Sequence, residues 1–240
     1  MYIYGKNPIF EYLKNRKKDI KRVYTCDLSL KREIENKYSI PVIEKDKNFI
    51  IAKLDNSNSP HQNLLAELEM SNLITIETLI DKTLNSPKKH RTIIILDHLS
   101  DPHNFGAIIR SAVFFNVSGI ILAKDRQAPL SPAVIKTSSG MASLTDFSIV
   151  ANINNAIEKL KKNNFWIYAA TASEGISPEK IDTNLPICLI AGNEGEGPKN
   201  LTLKSADFKI SIQGNPEVES LNVSVSTAIL LYQINFSANK

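Results

Sequence analysis

The stretch "TIIILDHLSDPHNFGAIIRSA", residues 92–112, decides the fold. Thr92–Leu96 is a short, continuous apolar run rich in isoleucine, which predicts a strand buried on both faces. An Asp/His/Ser/Asn turn follows, and apolar residues then recur at helical spacing over 105–115. Strand, polar turn and helix in that order form half of a βαβ unit. Working outward, the same alternation returns. Further strands are predicted at 117–122, 165–170, 187–192 and 208–212, with helices at 131–139, 152–163 and 222–236. The fold class is therefore α/β, a parallel sheet covered by helices on both faces. Ligands on such sheets bind in the loops beyond the strand carboxyl ends, so the polar turns are where chemistry is expected.

Upstream lies a smaller alternating unit over 1–75. There "NPIFEYLKN" and "KREIENKYSI" read as helices, and "IKRVYTC" and "PVIEKD" as strands. The Asn/Ser/Pro/Lys-containing stretch "ETLIDKTLNSPKKHR" predicts a linker over 76–90, and 91–240 forms the second domain. A chain of 240 residues is long enough for this division. No apolar run reaches the length of a membrane span, and the N-terminus has no apolar signal-peptide core, so a cytoplasmic location is expected. Cys26 and Cys188 supply neither a disulfide framework nor a metal site. The four histidines, at 61, 90, 98 and 103, lack metal-ligand spacing. Residues 1–50 carry twelve Lys/Arg against seven Asp/Glu. That basic excess suits a polyanion such as RNA, and equally suits a solvated helix end.

Three loops stand out. In the first, Asn104 sits where a helix cap belongs, and Arg110 lies six residues on. Helical side chains lean toward the N-terminus, so the guanidinium can reach back over the strand end to hold a phosphate or ribose. The alternative is a cap and a snorkelling arginine. The second loop, "LIAGNEGEGP" (189–198), opens from a buried strand with Gly192, Gly195 and Gly197 and a single early charge, Glu194. Its G-x-x-G-x-G order is neither the dinucleotide fingerprint nor a P-loop, and alone it reads equally as a turn. In the third, "ISIQGNPEVESLNVSVSTAILLYQ" (210–233), Ser220 or Asn222 precedes an apolar, buried C-terminal helix carrying Ser224 and Ser226. Those polar groups need partners, from a ligand or a second subunit.

Taken in order, these stretches resemble the SpoU family of RNA ribose 2′-O-methyltransferases, in the SPOUT class. "DPHNFGAIIRSA", "AGNEGEGP" and "ESLNVSVS" look like its three motifs, across residues 91 to 236. "YGKNPIFEYL" and "HQ" at 61–62 are similar to the small RNA-binding domain of the branch that modifies a guanosine of 23S ribosomal RNA. The resemblance implies a C-terminal trefoil knot, S-adenosylmethionine bound in it, and a homodimer with sites near the subunit interface. It places Asn104, Arg110, Glu194 and Asn222 at RNA-binding and catalytic positions. Gly192, Ile212 and Leu221 take cofactor positions, with Ser220 a weaker candidate. Gln213, Gly214 and Asn215 depart from the family's pattern after Ile212, Asn63 stands where glycine is usual, and Ser226 where alanine is common.

The implied reaction is an in-line methyl transfer to a ribose hydroxyl that needs alignment and no metal. A guanidinium is almost never deprotonated in proteins, so Arg110 reads as a clamp rather than as the proton acceptor. The alternatives are a transfer-RNA substrate, or a noncatalytic RNA-binding or assembly protein.

Overall fold

The computed structural model describes residues 1–54, 56, 58–87 and 90–239; Lys88 and Lys89 of the expected linker lie outside them. The chain divides into two compact units. One comprises Met1–Ser71 together with Pro129–Leu144, the other Asn72–Ala128 together with Thr145–Lys240.

The first unit holds strands β1 (Tyr2–Tyr4), β2 (Ile20–Thr25), β3 (Val42–Glu44) and β4 (Leu64–Leu68) and helices α1 (Lys6–Asn15), α2 (Leu28–Tyr38), α3 (Lys47–Ile51) and α6 (Pro132–Thr137). Its sheet has the order β1-β4-β2-β3, parallel only between β2 and β3. Capping fixes the helix starts. Asp27 accepts from the backbone N–H groups of Ser29 and Leu30 at α2, and Asp46 from Phe49 at α3. The segment 129–144 belongs here because its contacts do. Lys136 Nζ donates to Pro60 O at 2.7 Å and lies 4.7 Å from the Tyr4 ring centroid, while Arg16 Nε donates to Ser143 O at 2.7 Å. Asn63, in the position expected to favour glycine, has φ +58°, left-handed backbone that asparagine tolerates better than most residues.

The second unit holds β5 (Thr92–Leu96), β6 (Gly119–Ala123), β7 (Asp146–Val150), β8 (Trp166–Thr171), β9 (Ile187–Ala191) and β10 (Phe208–Ser211). Its helices are α4 (Ile76–Leu84), α5 (Pro102–Phe114), α7 (Ile153–Lys162), α8 (Asn200–Ser205) and α9 (Val223–Ser237). The six strands form one sheet of order β10-β8-β9-β5-β6-β7, and every neighbouring pair is parallel. β5, β6 and β9 are buried throughout, as their unbroken apolar runs require. Ile153, Ala156, Ile157 and Leu160 of α7 seal one face together with Ile93, Ile95 and Ile190. Truncating one such leucine to alanine costs about 2–5 kcal/mol.

The structure corrects two expectations and adds one strand. Helix α4 occupies most of the expected linker. Thr75 caps it, and Ile76, Leu79, Ile80 and Thr83 bury one face. That i, i+3, i+4, i+7 spacing is present in the sequence, and the neighbouring Asn/Ser/Pro cluster masked it. The second domain is also not continuous over 91–240, since 129–144 packs with the first unit. Strand β7 lacks a continuous apolar run because it is the sheet edge, with Ile149 about half exposed.

The connection from β8 to β9 takes an indirect route. After β8 the chain passes to the far edge of β10, where Ile176 N donates to Lys209 O (2.9 Å) and Ser211 N donates to Ile176 O (3.2 Å). Gly175 lies so close that a Cβ there would sit 2.8 Å from the Ile210 backbone. β10 thus runs between β8 and the segment leading to β9.

Candidate functional site

β5 and β9 are neighbours in the middle of the sheet. The chain leaves β5 toward β6 and leaves β9 toward β10 on the opposite side, so the loops beyond these two strands part at a topological switch point. The sequence caps α5 with Asp101, not Asn104. Asp101 Oδ1 accepts from His103 N (2.9 Å) and Oδ2 from Asn104 N (3.4 Å), with Pro102 at the first helical position. The cap therefore falls three residues before Asn104, and the Asn104 amide is left for longer-range contacts.

Those contacts join the three loops. Asn104 Nδ2 donates to Glu194 Oε1 at 3.3 Å, and Asn222 Nδ2 donates to Asn104 Oδ1 at 3.0 Å. Glu194 accepts two further bonds, from Asp101 N (3.2 Å, Oε1) and Ser100 Oγ (3.4 Å, Oε2). Asn222 is also the α9 cap, its Oδ1 accepting from Ser224 N, Val225 N and Ser224 Oγ. Three of the four expected catalytic side chains are thus one hydrogen-bonded chain, drawn from positions up to 118 residues apart. Arg110 is not part of it. It is exposed on α5, on the stripe of His103 and Phe114, and no described residue forms an ion pair or hydrogen bond with its side chain.

The glycine loop is a tight hairpin. Asn193 N donates to Gly197 O (3.1 Å) and Gly197 N to Asn193 O (3.0 Å), and Gly197 has φ +69°. A Cβ at Gly192 would sit 2.0 Å from the Gly197 carbonyl carbon and the Pro198 nitrogen. Gly192 is therefore required by the loop's own backbone. Gly195 and Gly197 face open space. Of the other expected cofactor residues, Ile212 is half-buried at the end of β10, and Ser220 and Leu221 are exposed on 213–222. The Gln213-Gly214-Asn215 departure lies on this same exposed segment. Beside Ile212, the buried Ser211 Oγ has no hydrogen-bond partner among the described residues. The C-terminal helix is not wholly buried as expected. Val223, Thr227, Leu230, Leu231 and Ile234 face inward, whereas Val225, Ile229, Tyr232 and Phe236 are exposed.

One group escaped the sequence reading. Asp97, with a fully buried side chain, pairs through Oδ1 with His98 Nδ1 and accepts from Lys199 N at 2.9 Å through Oδ2. His98 Nε2 lies 2.9 Å from Lys199 Nζ, and His98 O accepts from Asn193 Nδ2 at 3.1 Å. The available signal was an Asp-His pair at the very end of a buried strand.

A six-stranded parallel sheet with three loops, one of them a glycine hairpin, joined at a topological switch point beyond the strand ends defines the class as an α/β protein with a candidate ligand site at that edge. Residues 91–232 match the SpoU rRNA Methylase family, and the chain belongs to it. It is 37% identical over 182 residues to a 23S rRNA (guanosine-2′-O-)-methyltransferase, RlmB, of Coxiella burnetii, covering 74% of this chain and 71% of that protein. It is 38% identical over 209 residues to an uncharacterized tRNA/rRNA methyltransferase of Mycoplasma genitalium, covering 83% and 85%. The fold is similar to the SpoU methyltransferase AviRb of Streptomyces viridochromogenes in complex with AdoMet, with TM-score 0.81, 17% identity, and 99% and 89% of the two chains covered.

Proposed function

We propose that the protein transfers a methyl group from S-adenosylmethionine to the 2′-hydroxyl of a ribose, in a guanosine of 23S ribosomal RNA. The observation that carries this reading is the Asn104 amide held between Glu194 and Asn222, which fixes three loops at one point beyond the strand ends. The activity for which the Coxiella burnetii relative is named favours ribosomal RNA and the 2′-hydroxyl.

The residues fit the cofactor. The unpartnered Ser211 Oγ, the open Gly195 and Gly197, and the exposed Leu221 offer a polar atom, close-approach backbone and an apolar surface around one loop cluster. Gly192, Ile212, Ser220 and Leu221 would hold it. When bound, it supplies a methyl group already activated by a sulfonium. The protein's task is alignment, which can contribute about 7–11 kcal/mol. Arg110, with no described partner, is free to clamp an RNA phosphate. The indirect β8–β9 connection around β10 supports a C-terminal trefoil knot.

The first unit is the RNA-docking domain in this reading. Its support is the basic excess of residues 1–50 and the lysines laid over aromatic rings, Lys37 over Phe10 and Tyr38 and Lys53 over Tyr2 and Phe49. The protein acts as a homodimer. A helix apolar all round needs cover on both sides, and the exposed Phe114, Tyr232 and Phe236 supply a face for a second copy on the same stripe of α5 that carries Arg110. Such an enzyme works in the cytoplasm, with its RNA.

The test is transfer of tritium from labelled cofactor into purified 23S ribosomal RNA, with mapping of alkali-resistant linkages. Ribose methylation at one guanosine is expected. Methylation of bases only, or of transfer RNA only, refutes the assignment.

A further inference from the structure

A ribose hydroxyl attacking a methyl group must give up a proton, and every carboxylate oxygen of the three-motif network already accepts a hydrogen bond from the protein. Both Glu194 oxygens are occupied by N–H and O–H donors, and both Asp101 oxygens by the α5 backbone. Asn104 and Asn222 are amides, and a guanidinium has no basic lone pair. Glu196, Glu217 and Glu219 are exposed, and no described residue orients their carboxylates. His103 is exposed in the first turn of α5, and no described residue orients its ring.

His98 differs from all of these. Behind it stands a buried carboxylate, Asp97, that fixes the ring through Nδ1. In front stands Lys199 Nζ, which can only donate, so Nε2 carries the lone pair. The residue is held at φ +65°, a conformation uncommon outside glycine. Its carbonyl is tied to Asn193, next to Glu194, and Ser100, two residues on, donates to Glu194. The imidazole therefore belongs to the same ring of loops as the three motifs. Lys199 is an exposed, flexible side chain that can swing off Nε2 toward an RNA phosphate.

We propose that His98 is the proton acceptor of the reaction, with Asp97 positioning it and Lys199 covering it until RNA arrives. This role rests on the ribose-methylation reading. The ribose oxygen forms its bond to the methyl carbon, the methyl–sulfur bond breaks with its electron pair left on sulfur, and the hydroxyl proton passes to His98 Nε2. Asp97 then neutralises the imidazolium, which returns its proton to water. The charged groups around the ring are Asp97 on its own loop, Lys199, Glu194 and Glu196 on the glycine loop, and Asp101 and His103 at the start of α5.

His98→Asn tests the role, because asparagine also accepts left-handed backbone. Single-turnover methylation should fall about 100-fold or more, and the acid limb of its pH profile should vanish. Cofactor affinity by calorimetry should stay within threefold. Imidazole nitrogen NMR of the unliganded protein should show the proton on Nδ1 and a bare Nε2. A His98→Asn enzyme within threefold of normal, a proton on Nε2, or loss of the limb in His103→Asn instead would each overturn the role alone. Failure of the unaltered protein to methylate ribose would overturn the proposed function and this role together.

Discussion

Gly192→Ala is the substitution whose consequence follows most directly from geometry. The new methyl carbon would lie 2.0 Å from the Gly197 carbonyl carbon and Pro198 nitrogen, and ordinary contact begins near 3.4 Å. The hairpin must therefore open by about 1.4 Å. Two Asn193–Gly197 backbone bonds and the Lys199 N to Asp97 bond span the displaced segment. At about 0.5–1.5 kcal/mol each, their loss comes to about 3 kcal/mol, and the buried Asp97 oxygen left without that donor adds about 1–3 kcal/mol. For a chain of this size each kcal/mol lowers the midpoint by about 2–4 °C, so a total near 5 kcal/mol predicts a fall of about 10–20 °C. Differential scanning calorimetry would measure it, with a cofactor titration on the same sample expected to show affinity lost with the loop. A midpoint within about 3 °C of normal and undiminished cofactor affinity would refute the reasoning. The family resemblance sets Gly192 at a cofactor position, where an added side chain would be expected to meet the ligand. The structure moves the clash to the protein's own backbone.

Other expected outcomes follow from the same site and fold. Arg110→Ala should abolish tritium transfer to RNA while leaving the thermal midpoint unchanged, because no described residue pairs with the guanidinium; a normal turnover would remove it from the site. In the proposed homodimer, Tyr232→Glu should shift sedimentation from dimer to monomer by placing a charge in the apolar α5/α9 face, and an unaltered sedimentation coefficient would contradict that interface. His61 is held below the usual histidine range by burial first, then by Lys47 and Lys136. The unfolded chain therefore takes up its proton more readily, so stability should fall as pH drops below about 6.5 and level off below the depressed native value. Denaturant titrations across that range should show this component removed in His61→Asn.

The parts of the fold that could be read in the sequence are those where one physical signal acts alone. Continuous isoleucine runs such as Thr92–Leu96 and Ile187–Ala191 admit only buried strands, and both formed as such. Edge strand β7 and helix α4 were hidden because burial on one side, or a neighbouring loop-forming cluster, diluted the pattern. In the site, Asn104, Glu194 and Asn222 converge as the motif order suggested, yet the helix cap fell on Asp101. Capping is decided by which side-chain oxygen reaches the first free N–H groups, a matter of one turn that spacing alone leaves open. The Asp97–His98–Lys199 chain was out of reach because Lys199 is 101 residues from His98 and only the folded sheet brings them together.

The placement of residues 129–144 with the first unit has a practical consequence for anyone dissecting this protein. Val134 and Ile135 of α6 are fully buried, and that helix packs on β1 and α1. Expressing residues from 72 onward would strand this insertion without its packing surface, and expressing 1–71 would leave the matching hollow unfilled. A clean separation needs two scissions and a graft: deletion of 129–144 from one piece, and its tethering to the other.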